Sequence, residues 1–285
     1  MRSALVFGAS GQIGRPLLVR LRRRGWQVLA VSRRDQADMP GVRWLRGDLA
    51  TIGGLPPHVD AIFSCGPLDH FARWYAQAAI GCPRVVAFGS TSAAVKRASA
   101  DAAERALAAR LAEAERALAG SAEACGARCT VLRPALVYGA GRDLTLSRIA
   151  TMARRHGAFV LPRGATGLRQ PVHVDDLAAA AMAALDAPAL AATYDLPGGE
   201  TLPYREMVRR VLAALDPPAR LVELPAPMFS ALAAALRATG RLQGFGAQAQ
   251  ARLREDLVFD VARAAADLGY APRPFRPDAA TFAPR

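Results

Sequence analysis

The sequence predicts an α/β chain built on a doubly wound parallel sheet, and three observations carry that expectation. Apolar runs alternate with helix-spaced segments through the first two thirds of the 285 residues, the rhythm of repeated strand–helix–strand crossovers. The runs are nearly continuous hydrophobics, as strands become when helices cover both faces of a sheet. A glycine-rich turn, Gly8-Ala9-Ser10-Gly11-Gln12-Ile13-Gly14, joins the first run, Ala4-Leu5-Val6-Phe7, to the first helix-spaced segment.

Taken in order, strands are expected near 3–7, 27–31, 42–46, 59–64, 84–89 and 129–133, with helices between most of them. Asp101 and Glu104 form a capping pair that opens a long helix, and Leu107, Leu111, Ala114 and Leu118 make the apolar stripe by which it packs on the sheet. After Pro134 the pattern shifts to short elements, glycine turns such as Gly139-Ala140-Gly141, and proline clusters. This reads as a smaller, discontinuous lobe. Strand-like residues near 170–174 and 192–196, with a helix from about Asp175, return to the large domain. The expected division is 1–140 plus about 169–197 for the large domain, and about 141–168 plus 198–285 for a substrate lobe. From Ala271 the proline-rich end is expected to lie extended on the surface.

Composition narrows the function. The net charge of +13 comes from scattered arginines, with Lys96 the single lysine, and aromatics are 6% and unclustered; this argues against nucleic-acid binding. Cys65, Cys82, Cys125 and Cys129 show neither metal-binding nor disulfide spacing, which fits buried thiols in a reducing compartment and leaves no zinc site. A core strand begins within a few residues of Met1, leaving no room for a leader peptide. No apolar run approaches the roughly 20 residues of a membrane span. A cytoplasmic protein is expected, with no membrane partner.

The glycine turn has the parts of a dinucleotide cradle. Gly8 permits the turn, Gly11 lets backbone N–H groups approach a pyrophosphate, and Gly14 lets helix and strand pack closely. The context fits, because a strand precedes it and Gln27-Val28-Leu29-Ala30-Val31 follows one helix later.

Other landmarks follow in order: Asp48-Leu49 after the third strand, Ser90-Thr91-Ser92 after the fifth, and Leu132-Arg133-Pro134 through Val137-Tyr138-Gly139 around the sixth. Further on stand Arg169-Gln170-Pro171-Val172-His173-Val174-Asp175-Asp176 and Tyr194-Asp195-Leu196-Pro197-Gly198-Gly199-Glu200. Together these resemble the NAD(P)-dependent epimerase/dehydratase group of the extended short-chain dehydrogenase/reductases, over almost the whole chain. The resemblance implies a Rossmann sheet, a nicotinamide coenzyme and a small-molecule substrate such as a nucleotide sugar. It implies pyrophosphate contacts from Gly8, Ser10, Gly11, Gln12, Ile13 and Gly14, and adenine contacts from Asp48 and Leu49. Cys65, Gly66 and Pro67 would line the coenzyme ribose, Pro134, Ala135 and Leu136 would flank the nicotinamide, and Arg169 would hold the substrate diphosphate. Relatives often pair through the helices flanking the mid-sheet, so a homodimer is possible through the helix near 101–119.

Two departures matter. The second strand ends in Ser32-Arg33-Arg34, where NAD-binding members usually carry an acid. Arginines there neutralise a 2′-phosphate that a carboxylate would repel, so NADP is expected over NAD, although Asp35 lies close enough to reach a ribose. The second departure concerns chemistry. The resemblance implies a Tyr and a Lys four residues apart, the ammonium lowering the phenol's pKa from about 10 so that it takes a proton. No Tyr stands between Tyr75 and Tyr138, and Ala106 with Arg110 best match the pair. Thr91, Lys96 and Tyr138 remain as catalytic candidates, while His173 and Asp175 read as structural. Three explanations stay open: an oxidoreductase or epimerase with a relocated acid/base, a catalytically silent NADP(H)-binding regulator or sensor, and an assembly subunit with a structural coenzyme.

Overall fold

A computed structural model describes residues 2–187, 192–238 and 251–282. Contacts divide the chain into two compact units. The first comprises Met1–Ala135, Val174–Leu196 and Asp260–Pro272; the second comprises Leu136–His173, Pro197–Phe259 and Arg273–Arg285.

In the first unit the apolar runs become β1 (Ser3–Phe7), β2 (Gln27–Ser32), β3 (Val42–Arg46), β4 (Ala61–Ser64), β5 (Arg84–Phe88) and β6 (Arg128–Pro134). A later strand, Ala192–Leu196, joins them in a seven-stranded parallel sheet. From that last strand the order is last, β6, β5, β4, β1, β2, β3. The chain reverses direction of travel between β1 and β4, the switch point at which doubly wound sheets bind ligands. Helices α1 (Gly14–Arg23), α2 (Leu68–Gln77), α3 (Ser92–Val95) and α4 (Ala102–Ala124) fill the crossovers. Leu5, Val6, Ile62, Phe63, Val85 and Leu132 are all fully or almost fully buried, which is why their strands carry no polar alternation.

The second unit starts with β7 (Leu136–Tyr138), α5 (Leu146–His156), β8 (Ala158–Pro162), β9 (Leu168–Arg169) and β10 (Pro171–His173). The chain then passes through α6 (Val174–Asp186) and β11, the Ala192–Leu196 strand, in the first unit. β12 (Leu202–Pro203), α7 (Tyr204–Ala213), β13 (Arg220–Leu224) and α8 (Ala226–Ala238) follow in the second. Its core gathers Tyr138, Ile149, Leu161, Met207, Val211 and Phe275. Near the end, α9 (Ala262–Leu268) belongs to the first unit.

The end of the chain corrects the expectation of a surface tail. Phe275 is fully buried and Phe282 nearly so. The Arg210 guanidinium donates to the Phe275 carbonyl, and the Phe275 N–H donates to Glu200. The tail also anchors in the core because its two Phe rings bury more apolar surface than any exposed path would. Cys125, too, is exposed rather than buried. Among the described residues no helix is long and apolar enough to cross a membrane.

Candidate functional site

The turn after β1 is shaped by backbone crowding. Gly8 adopts φ +68°, and a Cβ there would stand 2.9 Å from the Cys65 carbonyl carbon. A Cβ on Gly11 would stand 2.9 Å from the Gly8 oxygen, and one on Gly14 would press to 2.7 Å from the Ala9 Cα. Gly11 donates its N–H to the Gly8 carbonyl at 2.9 Å, closing the turn on itself. α1 then begins at Gly14 behind Ile13, with no side-chain cap on its first N–H groups. Uncapped amides facing a bare loop suit an anion.

Gln12 Oε1 and Ser64 Oγ are among the buried polar atoms of this unit that have no hydrogen-bond partner among the described residues. Ser64 ends β4 opposite Phe7 of β1. Cys65 and Gly66 follow it and touch the space a Gly8 side chain would take. A cradle without room for side chains, together with orphaned polar atoms, fits a dinucleotide; Gly8, Ser10, Gly11, Gln12, Ile13 and Gly14 would hold its pyrophosphate. Burial pushes the Cys65 thiol up to about 12, so it would line that space as a neutral group.

The residues expected at the adenosine end are tied by side chains. Asp48 accepts from the N–H groups of Ala50 and Thr51 and from the Thr51 hydroxyl, which hold its carboxyl below the usual range. Leu49 packs against the sheet core beside it. Ser32 Oγ donates to the Arg34 carbonyl at 2.8 Å, while Arg33 and Arg34 stay exposed.

The three catalytic candidates are all engaged. Thr91 is buried, and both its N–H and its hydroxyl donate to the Pro134 carbonyl at 3.3 Å. Pro134 and Ala135 close β6 onto β11, where the Ala135 N–H donates to Leu196. Lys96 ion-pairs with Glu104 at 3.3 Å. Glu104 therefore serves Lys96 and Ser99, leaving the N-terminal cap of α4 to Asp101 alone, which accepts from the Ala103 N–H. Tyr138 is 1% exposed in the second unit, its ring edge-on to Phe275 and His173, and Leu136 packs on that same core. His173 lies so close to Gly139 that no Cβ fits between them, the structural role expected of it.

Arg169 corrects its expected role. It is 6% exposed, and its guanidinium donates to the carbonyls of Leu168, Glu255 and Arg252. A fork committed to three backbone oxygens pins the 252–255 segment, and burial lowers its pKa; it is not presented for a diphosphate.

Helix α4 meets the sheet through a buried ion pair. Glu115 is buried on α4 and grips Arg133 of β6 with two hydrogen bonds, and Arg133 lies 3.8 Å from Asp195. That defines the face of α4 turned to the sheet, and Leu111 and Leu107 lie four and eight residues back along it, both half-buried. Ala106 and Arg110 are exposed, and Arg110 reaches Asp69 on α2 at 3.3 Å. Ala108, Ala114, Leu118 and Ala122 are the buried apolar residues of the helix. Sequence reading missed Glu115 and Arg133, whose signal was a lone acid within a helix stripe and an arginine ending an apolar strand.

The model of the NAD dependent epimerase/dehydratase family matches residues 4–80 and 75–196. The chain belongs to that family. The mitochondrial NADH dehydrogenase [ubiquinone] 1 alpha subcomplex subunit 9 of Arabidopsis thaliana is 30% identical over 262 residues, covering 81% of this chain and 62% of that protein. The 2-alkyl-3-oxoalkanoate reductase of Stenotrophomonas maltophilia (strain K279a) is 29% identical over 252 residues, 75% and 76% of the two chains. The match to YbjS of Escherichia coli (strain K12) is 26% identical over 156 residues, 51% of this chain and 45% of that protein, so the chain spans less than two thirds of the length of some curated relatives that it matches. Among solved structures, MoeE5 in complex with UDP-glucuronic acid and NAD superposes with a TM-score of 0.71 at 22% identity, covering 98% of this chain and 97% of that one. The UDP-glucuronic acid 4-epimerase of Bacillus cereus in complex with NAD gives 0.71 at 12% identity, covering 98% and 96%. At these identities the structural likeness shows the fold.

Proposed function

We propose that this protein binds NADP(H) in the cradle after β1 and holds it without the proton transfer of its family, as a regulator or sensor. One observation carries the reading: Lys96, the single lysine of the sequence, is tied to Glu104, and no tyrosine stands between Tyr75 and Tyr138 for it to tune. A lysine already paired to a carboxylate does not tune a phenol. NADP over NAD rests on Arg33 and Arg34, whose charges suit a 2′-phosphate.

A second reading is favoured by Thr91, which keeps a hydroxyl beside Pro134, and by the reductase relative. In it, the protein is an oxidoreductase or epimerase on a nucleotide sugar or similar polar metabolite, with Thr91 as hydrogen-bond donor. Calorimetry with NADPH and NADH, alongside nicotinamide absorbance with a panel of sugar nucleotides and polar ketones, separates the two. Tight NADPH binding with no turnover supports the first reading. Turnover that Thr91→Ala and Lys96→Met each reduce supports the second.

A further inference from the structure

The loop leaving β2 is tied down more thoroughly than its exposure requires. Gln36 Nε2 donates to the Asp35 carbonyl at 3.0 Å and the Arg34 carbonyl at 3.3 Å, while Gln36 Oε1 accepts from Arg15 Nη2 of α1 at 3.0 Å. Ser32 Oγ donates to the Arg34 carbonyl at 2.8 Å and accepts from the Arg34 N–H at 3.2 Å. The loop thus carries Arg33 and Arg34 next to the acid Asp35, and Arg15 of α1 reaches it through Gln36. Of the two acids on the loop, Asp35 and Asp38, Asp35 adjoins the arginines and would oppose a phosphate on the adenosine ribose. Its carboxylate faces Arg46 Nη1 at 3.5 Å, on the edge strand β3.

We propose that Arg46 is a specificity-determining residue for the coenzyme: by holding the Asp35 carboxylate on the β3 side, it leaves the arginines of the loop and α1 to meet a ribose phosphomonoester. This rests on the NADP(H) reading above. Arg46 acts through Asp35 and does not touch the coenzyme. A carboxylate released from Arg46 would repel the dianion of NADPH and would be indifferent to the ribose hydroxyls of NADH, or would bond to them. Both partners are exposed, so the effect is screened and modest.

The test is calorimetric titration of NADPH and NADH into wild type, Arg46→Ala, Asp35→Asn and the double variant. Wild type is expected to prefer NADPH. Arg46→Ala should weaken NADPH binding about five-fold and leave NADH unchanged or tighter, as a screened charge pair at this range implies. The double variant should recover the wild-type NADPH affinity, because the opposing charge is gone. A NADPH loss that persists in the double variant overturns the proposal, since Arg46 would then act by its own charge. An unchanged coenzyme ratio in Arg46→Ala also overturns it, while leaving the NADP(H) reading intact. A wild type that prefers NADH or binds neither coenzyme overturns both, and shows in the wild-type titration alone.

Discussion

Gly14 is the residue on which the cradle leans hardest, because its missing Cβ lets α1 start against the backbone of Gly8 and Ala9. Gly14→Ala should abolish coenzyme binding in calorimetry and destabilise the protein by about 2–4 kcal/mol in urea, as overpacking against backbone does. The thiols offer a second residue-scale check. Burial raises Cys82 to about 11 and Cys65 and Cys129 to about 12, whereas Cys125 is exposed. Iodoacetamide at pH 8 should label Cys125 first in peptide mass spectrometry, since only thiolates react; early labelling of Cys65 would contradict its burial. Asp48 adds a pH test. Its folded pKa is depressed from 3.8 by the Ala50 N–H and the Thr51 hydroxyl, so its contribution is complete above that value and fades as pH falls through the lower folded one. Asp48→Asn should flatten the stability profile in that acid window. The turn at Gly8 and the close packing at Gly14 were legible in sequence, because each shows as a glycine between a strand and a helix, whereas the loop that Asp48 ties was not.

At the scale of elements, α4 shows where reading stops. The apolar stripe read from its spacing does face the core, with Ala114 and Leu118 buried and Leu107 and Leu111 half-buried, but the buried acid Glu115 beside that stripe was not legible. The bond between Glu115 and Arg133 pins that rotation. Glu115→Ala should cost about 3–5 kcal/mol in denaturant unfolding, because Arg133 would keep a half-buried charge without its partner. Asp101→Ala should cost about 1 kcal/mol through the lost cap. Introducing Leu107→Tyr with Leu111→Lys tests the silent reading directly: turnover gained by the double variant alone would place the missing chemistry on this face. The strands, by contrast, were legible almost to the residue, since a strand buried on both sides has no choice but continuous hydrophobics.

For the whole molecule, Arg169 illustrates a role that no local pattern discloses. Its partners lie at Arg252 and Glu255, more than eighty residues onward. Arg169→Ala should leave those carbonyls without their donor and speed hydrogen exchange across 251–259, with a loss of about 2–4 kcal/mol in the second unit. Unchanged exchange there would deny the anchoring role. Phe275 behaves likewise, a residue of a proline-rich end drawn into a core assembled from 138–215.

The sequence by itself determined the parallel sheet, the glycine cradle at its switch point, the family, and the lack of a tyrosine where proton transfer would need one. Those depend on composition, on short spacings and on glycines that only one backbone path accepts. Only the tertiary structure decided that Glu115 of α4 is buried against Arg133, what Arg169 and Lys96 hold, and where the end of the chain goes. Each of these is a competition among partners distant in sequence, settled by which contacts the packed chain brings within hydrogen-bond reach.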